Sequence, residues 1–177
     1  DDEHVHGLDG HCGSLEDGRA VQAKGIDYAV TALLGERMGR RTVAASIGAA
    51  SAAERFRSGL FVTIYLSPRH YHRVHAPVSG RLVEARAIPG RLLPVGPRWV
   101  RSVSDLFPEN ERLVAVIEHE SLDLALVAVG AFNVGRISAA FDPAWNRPHR
   151  RGVTNQRGTG GTEVRRYDPP RMVERGE

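Results

Sequence analysis

The sequence predicts a mainly β (α+β) fold, a β sandwich or barrel with one or two helices near the N-terminus. From Leu60 the apolar residues Val62, Ile64 and Leu66 alternate with their neighbours, the period of a strand buried on at least one face. Further short apolar segments follow at regular spacing, separated by turn residues, as in all-β domains. The length of 177 residues fits one domain with a real core, so we predict a single domain over residues 1–177.

The N-terminal third carries weaker signals. Residues 1–25 are polar and glycine-rich, with two short β candidates at most. Residues 26–34 could open a helix, and residues 42–57 favour a helix through their alanines. The alanine-rich segment 43–53 has no evident packing partner.

The predicted strand over residues 60–66 leads into a helical turn. Ser67 suits an N-cap and Pro68 the first helical position, so we predict a turn over residues 68–73. On such a turn His72 and His75 share a face, whereas on a continuing strand they face opposite ways. The Ser-Pro start favours the turn.

The rest of the chain alternates strands with turns. We predict strands at residues 80–87, 92–95, 113–119, 122–129 and 134–141, with turns at residues 89–90 and 120–121. Residues 142–165 hold prolines and a glycine run, which indicate an ordered loop at best. The whole segment 142–177 therefore reads as a loop-rich basic tail.

The charge of the chain is modest but unevenly distributed. The 24 basic and 21 acidic residues give a net charge of +3, and eight arginines lie from Arg147 onward. Such a run suits either anionic lipid headgroups or a solvated surface. No aromatic stacking set accompanies it, which argues against nucleic acid. The single Cys12 excludes an internal disulfide and a cysteine-built zinc site, and fits a reducing, cytosolic setting.

The segment after the strand at residue 60 is the strongest candidate site. His70, His72 and His75 fall within six residues where that strand ends. Histidine titrates near neutral pH and serves as base, acid or ligand. We therefore predict a site for chemistry here.

This stretch resembles the phosphatidylserine decarboxylases, a family that makes its own pyruvoyl group by cutting its chain. The resemblance lies in residues 65–69 (YLSPR), 71–77 (YHRVHAP), Gly80 and 89–92 (PGRL). Flanking matches are residues 22–25, 110–112, 129–131 and 134–137, so the likeness covers roughly residues 9–140. The pattern from residue 76 to residue 92 is also similar to the barrel core of biotinyl- and lipoyl-carrier domains.

The resemblance implies a self-cleavage reaction. A serine hydroxyl attacks the preceding peptide carbonyl, and the chain splits into a β fragment and an α fragment that begins with pyruvoyl. An unactivated hydroxyl needs a base, and the family uses an Asp-His-Ser arrangement. His75 falls on the base position and Asp9 on the carboxylate position. Asp9 precedes Gly10, however, and Asp-Gly is also an ordinary turn dipeptide.

A second implied reaction is decarboxylation, in which the pyruvoyl carbonyl accepts the released electrons. His72 matches the family histidine assigned to this step, where an imidazole can hold the carboxylate or move a proton. His70 departs from the aspartate common at its position. It either changes substrate handling or is a surface variation.

The self-cleavage serine is missing from these residues. Residues 169–177 look like the approach to a Gly-Ser-Thr site, and the one Gly-Ser pair, at residues 13–14, lies far from it. The resemblance therefore implies a β chain that works with a pyruvoyl-bearing α chain, after cleavage of a proenzyme. Together they would convert phosphatidylserine to phosphatidylethanolamine and CO2 in phospholipid biosynthesis. We expect peripheral contact with an anionic membrane on its cytoplasmic side, a possible homodimer, and no metal.

Three other interpretations stay open at this point. The chain could be a non-catalytic β-barrel binding or carrier-like module derived from this family. His4, His6, His11 and Cys12 could bind a metal. A hydrolase with Ser67 or Ser79 as nucleophile is disfavoured, because neither lies in a Gly-x-Ser-x-Gly elbow.

Overall fold

The computed structural model describes residues 9–22, 26–35, 52–146 and 161–177. It divides into two compact units, Asp1–Val74 and His75–Glu177. In the described ranges, eight strands form two four-stranded antiparallel sheets, accompanied by short helices. The predicted mainly β class is confirmed at this level. None of the helices in these ranges is long and apolar enough to cross a bilayer.

The first unit contains a sheet with the strand order β3-β2-β1-β4. Its elements are β1 (Asp9–Glu16), β2 (Arg19–Gln22), β3 (Ile26–Ala29), α1 (Val30–Leu33), α2 (Ala52–Arg55) and β4 (Gly59–Tyr65). The helix expected over residues 26–34 is wrong for its first half, since residues 26–29 pair with β2 as a strand. Most of the helix expected over residues 42–57, including most of the alanine-rich segment, lies outside the described residues.

Strand β4 alternates as predicted, but its aromatic side is the more buried one. Phe61, Thr63 and Tyr65 are half-buried, whereas the aliphatic Val62 and Ile64 are 68% and 57% exposed. The strand lies at the edge of its sheet and pairs only with β1 among the described strands.

The second unit contains a sheet with the order β7-β6-β5-β8. Its elements are β5 (Gly80–Ile88), α3 (Pro97–Ser102), α4 (Leu106–Glu109), β6 (Arg112–His119), β7 (Leu122–Val129), a 3-10 helix (Pro143–Trp145) and β8 (Glu163–Val173). The strands predicted around β5, β6 and β7 are confirmed. One face of the sheet carries the apolar core, formed by Leu82, Ala85, Leu113, Ala115, Ile117, Ala139, Trp145 and Val173.

Two predicted strands are absent from the described part of this unit. Residues 92–95 form no strand, because the main-chain N–H and C=O of Leu93 are bound by the side chain of Asn110. Residues 134–141 are irregular after a tight turn at residues 131–134. Positive φ angles at Asn133 (63°) and Arg136 (60°) interrupt the extended backbone there.

Strand β8 corrects the prediction of a loop-rich tail over residues 142–177. It spans eleven residues and pairs with β5 from Gly80↔Val173 to Ala87↔Glu163. The register breaks between Leu82 and Glu84, where residues 167–170 of β8 lie opposite Val83. This bulge accommodates Pro169 and Pro170, which lack the N–H that regular pairing requires. Residues 147–160 lie outside the described ranges.

A buried ion pair and a polar network hold β8 in place. Glu84 and Arg86 are each 1% exposed and bonded to each other, and Arg166 of β8 donates to Glu84 at 3.0 Å. Paired charges can lie inside a protein, whereas removal of one partner leaves the other buried and uncompensated. Glu84 therefore connects the central strand β5 to the edge strand β8.

The network lies on the other side of β8, around Asp142. Trp145 Nε1–H donates to the Tyr167 hydroxyl, which donates to Asp142 Oδ2, both at 3.0 Å. A hydrogen bond from the Ala144 N–H, assisted by Tyr167 and nearby arginines, holds the pKa of Asp142 below its ordinary 3.8 despite burial. Burial chiefly raises the pKa of Tyr167 above 10.0. The network thus favours an ionised Asp142 beside a neutral Tyr167.

Candidate active site

The main chain beside His75 is paired with the last residues of the chain. Ala76 N–H donates to the Glu177 carbonyl oxygen at 2.9 Å, and Gly176 N–H donates to the Ala76 carbonyl oxygen at 2.8 Å. Arg175 N–H donates to Ser79 Oγ at 2.9 Å. These bonds extend the antiparallel pairing of β5 with β8 beyond both strand ends.

His75 is exposed and directly precedes Ala76 in this pairing. Because the two segments run antiparallel, the backbone direction beyond Glu177 points towards residue 75. The sequence placed the self-cleavage base at this position, and that role stays a prediction.

His72 belongs to the first unit and is also exposed. Its Nδ1 lies 2.6 Å from the carbonyl oxygen of His70. A carbonyl can only accept, so Nδ1 carries the proton in this contact. The Nε2 atom is then the ring nitrogen that can accept a proton, and it can donate one only when the ring is cationic.

His70 has a structural task that the sequence did not reveal. Its main-chain N–H donates to the Ser67 carbonyl oxygen at 2.8 Å, and its Nδ1 accepts from the Ser67 N–H at 3.3 Å. The half-buried ring therefore closes the turn at residues 67–70. An aspartate oxygen, as the resemblance leads one to expect at this position, could accept the same N–H.

The predicted helical turn over residues 68–73 is wrong beyond His70. The hydrogen-bonded turn ends there, and residues 71–76 have no regular secondary structure. The argument that helical spacing places His72 and His75 on one face therefore does not apply. The Ser67–His70 contacts satisfy the main chain locally, so nothing propagates a helix.

Asp9 is the first residue of β1 and lies opposite Tyr65, the last residue of β4. The alternative interpretation of Asp9 and Gly10 as a turn is wrong, since both belong to the strand. This register places Asp9 at the end of the sheet from which the histidine segment departs. Its catalytic role stays a prediction.

Asn110, part of the flanking match at residues 110–112, is a structural residue of the second unit. It is fully buried, and its side chain bonds Leu93 N–H at 2.8 Å, Leu93 C=O at 3.0 Å and Gly130 C=O at 2.9 Å. Glu111 next to it accepts the Arg136 N–H at 2.9 Å. Four of the segments that carry the family resemblance therefore meet here, at residues 89–92, 110–112, 129–131 and 134–136. In the sequence, the signal of this role was an amide residue placed among apolar strands.

The other two chemistries gain no support from the described residues. His4 and His6 lie outside them, and the described His, Cys, Asp and Glu side chains form no group of three that could hold a metal. The hydroxyls of Ser67 and Ser79 accept main-chain N–H groups of Arg69 and Arg175. These contacts assign both serines to loop structure.

The family of the chain follows from comparison with known proteins. The family model described as phosphatidylserine decarboxylase matches residues 4–177. The chain belongs to the phosphatidylserine decarboxylase family. Among similar proteins, the phosphatidylserine decarboxylase proenzyme of Anaeromyxobacter sp. (strain K) is 40% identical over 98% of this chain and 54% of its own length.

Two further relatives from the phosphatidylserine decarboxylase family match this chain with similar identity and coverage. The proenzyme of Chromobacterium violaceum is 43% identical over 84% of this chain and 49% of its own length. That of Myxococcus xanthus is 40% identical over 97% of this chain and 53% of its own length. The chain thus spans about half the length of the curated relatives it matches. The family resemblance predicted from the motifs is confirmed.

Proposed function

We propose that this chain is the histidine-bearing β portion of a phosphatidylserine decarboxylase. With a pyruvoyl-bearing α chain it converts phosphatidylserine to phosphatidylethanolamine and CO2 in phospholipid biosynthesis. The observation that carries the proposal is the pairing of Ala76 with Gly176 and Glu177, next to exposed His75. Family membership supports the reaction class.

His75 acts as the base for self-cleavage. Its imidazole takes the proton of a serine hydroxyl, and the oxygen then attacks the preceding peptide carbonyl. In this proposal the serine belongs to the α-chain portion of the proenzyme. The backbone direction at Glu177 supports this role, since it brings an approaching segment towards residue 75.

The proposal gives Asp9 the part of the carboxylate in a serine–histidine–aspartate set, which stabilises the imidazolium that forms on the base. Support comes from its motif and from its place at the start of β1, opposite Tyr65.

A pyruvoyl group supplies a carbonyl that withdraws electrons from the substrate. The exposed His75 and the paired C-terminal residues fit the formation of such a group by chain cleavage. His72 then acts through Nε2, which accepts a proton in the neutral ring and, in the cationic ring, binds the carboxylate of the substrate or donates a proton to the reacting carbon. Its Nδ1–H bond to the His70 carbonyl oxygen orients the ring in both charge states.

The proposal includes several finer points of architecture and setting. The sheet of β5 to β8 is akin to the barrel core of biotinyl- and lipoyl-carrier domains, and the two units work as a single functional domain over residues 1–177. The enzyme is peripheral to the cytoplasmic side of the cell membrane, meets anionic lipid there, and forms a homodimer. Lipid substrate and basic composition support the membrane setting.

The test is self-cleavage of the complete proenzyme, followed by gel electrophoresis and mass spectrometry. The unchanged protein should split into two chains, the shorter of which begins with pyruvoyl. His75→Ala should slow cleavage by about 10²–10⁴-fold, the usual contribution of a positioned base. His119→Ala is the matched control, an exposed histidine at the end of β6. Cleavage of His75→Ala at the rate of the control would remove His75 from the base role.

A further inference from the structure

The second unit presents exposed aromatic side chains among arginines. Trp99 on α3 is 46% exposed, and Phe132 in the turn at residues 131–134 is 44% exposed. Arg98 and Arg101 flank Trp99 on the same short helix, and both are exposed, as is Arg91. We call Arg91, Arg98, Trp99, Arg101 and Phe132 the aromatic–arginine surface.

Two hollows in this surface meet at Trp99. One, of about 350 Å³, is lined by Arg98, Trp99 and Ser102. The other, of about 390 Å³, is lined by Arg91, Trp99 and Phe132, together with Leu93 and Pro94. Every lining residue is cationic, apolar or neutral, so the hollows suit a ligand that is both anionic and apolar.

The arginines of this surface are available to a ligand. Among the described residues, the side chains of Arg91, Arg98 and Arg101 have no hydrogen-bond or ion-pair partner. The arginines of β8 differ, because Arg166 binds Glu84 and Arg171 binds the Phe141 carbonyl oxygen. Two arginines of β8 are therefore engaged within the protein, whereas the three of this surface can meet a ligand.

We propose that the aromatic–arginine surface docks the protein on an anionic lipid bilayer. An indole has an apolar body and a polar N–H, and such rings settle at the level of the headgroups. Guanidinium groups bind phosphate oxygens with two parallel hydrogen bonds. Apolar contact and charge together give stable peripheral binding where either alone is marginal. The proposal rests on the proposed function only in that a lipid substrate brings the enzyme to a bilayer.

The charge pattern sets the expected selectivity. Each cationic side chain near an anionic surface strengthens binding by about fivefold at moderate salt. Insertion of the Trp99 ring adds about tenfold, since it removes apolar area from water. Binding should therefore require anionic lipid and weaken with salt, while the Trp99 contribution should persist when salt is raised.

The experiment uses the complete proenzyme and vesicles of phosphatidylcholine with or without phosphatidylglycerol. Phosphatidylglycerol is anionic but lacks the serine headgroup, so binding is independent of decarboxylation. Co-sedimentation should show binding to the mixed vesicles, weakened about tenfold by Trp99→Ser and about 25-fold by the double variant Arg98→Gln with Arg101→Gln. Brominated lipid should quench tryptophan emission in the unchanged protein more than in Trp99→Phe.

Matched controls come from exposed residues elsewhere. Arg57→Gln removes a charge whose side chain is 75% exposed, and Leu122→Ser removes an apolar side chain that is 45% exposed. Both should bind mixed vesicles like the unchanged protein. Equal binding by the surface variants and the controls overturns the proposal, as does the absence of binding to mixed vesicles. Binding that depends on the arginines but not on Trp99 overturns it too, because the aromatic side chain then takes no part in the contact.

Self-cleavage distinguishes this result from failure of the proposed function. The surface variants and the unchanged protein are scored for chain cleavage in the absence of lipid, where docking plays no part. A protein that binds vesicles through Trp99 but never splits contradicts the enzyme and leaves the docking surface standing. A protein that splits normally but ignores phosphatidylglycerol contradicts the docking surface alone.

Discussion

The N–H of Ala76 and the carbonyl oxygen of Glu177 are 2.9 Å apart and hydrogen-bonded across 101 positions of sequence. The partner bond from Gly176 N–H makes this a two-point attachment beside the exposed His75. The YHRVHAP segment, residues 71–77, therefore contains the residue that pairs with the C-terminal segment.

The first prediction concerns the attachment itself. Gly176 has φ = 90°, which proline cannot adopt, and proline also lacks the N–H that donates to Ala76. Gly176→Pro in the complete proenzyme should slow self-cleavage by at least about tenfold, the effect of some 1.4 kcal/mol. The measurement is the time course of chain splitting on gels. Glu174→Ala, which keeps the main chain intact at an exposed site, should cleave normally; parity of the two variants would count against the attachment.

The second prediction separates decarboxylation from cleavage. His72→Ala should leave chain splitting intact and lower kcat for phosphatidylserine by about 10²–10⁴-fold, since it removes the acid–base group. CO2 release from detergent-solubilised substrate measures kcat after cleavage has been verified. His70→Asp is the control, because a carboxylate oxygen can also accept the Ser67 N–H. An unchanged kcat in His72→Ala would exclude this histidine from the chemistry.

The third prediction tests the packing of the PGRL motif. A Cβ at Gly90 would lie 2.4 Å from the Asn110 carbonyl carbon and 2.5 Å from the Glu111 nitrogen, both backbone atoms that cannot move aside. Gly90→Ala should therefore lower the free energy of unfolding by about 3 kcal/mol. Gly96→Ala is matched, with ordinary φ and nothing within 4 Å of the added atom, and should change little. Urea denaturation gives both values, and equal stabilities would contradict the close approach.

The fourth prediction is a pH dependence at the Asp142 network. The folded pKa of Asp142 lies below the ordinary 3.8, so its stabilising contribution is complete above 3.8 and disappears as pH falls through the folded pKa. Unfolding free energies of the unchanged protein and Asp142→Asn should differ by a constant amount at neutral pH and converge in acid. The raised pKa of Tyr167 adds a contribution that is complete below 10.0 and lost at higher pH. A difference that does not shrink as the pH falls through the folded pKa would exclude ionisation of Asp142 as its source.

The strands that the sequence predicted correctly are those whose pattern is local. β5, β6 and β7 show apolar side chains bounded by turns, and burial on the sheet confirms them. β8 was not predicted because it contains several arginines and two prolines in place of an alternating apolar pattern. Such a composition suits an edge strand with a bulge. Its partner β5 lies about 80 residues away, beyond the reach of local pattern reasoning.

The sequence predicted which residues belong to the candidate site but not how they are arranged. The motif singled out His72 and His75, and the resemblance gave them roles. The main-chain bonds from Gly176 and Glu177 to Ala76 could not be predicted, since N–H and C=O groups occur at nearly every residue and carry no sequence signal of their partner. The His70 ring bond to Ser67 was equally hidden, because a loop histidine has no characteristic spacing.

The bulge in β8 has a mechanical consequence. Residues 167–170 of β8 lie opposite the single residue Val83 of β5, and regular pairing resumes with Arg171 opposite Leu82. Inserting or deleting one residue within 167–170 would change the size of the bulge while the ladder on either side kept its partners. Insertions and deletions at this point can therefore leave the main-chain bonds of Gly176 and Glu177 to Ala76 unchanged.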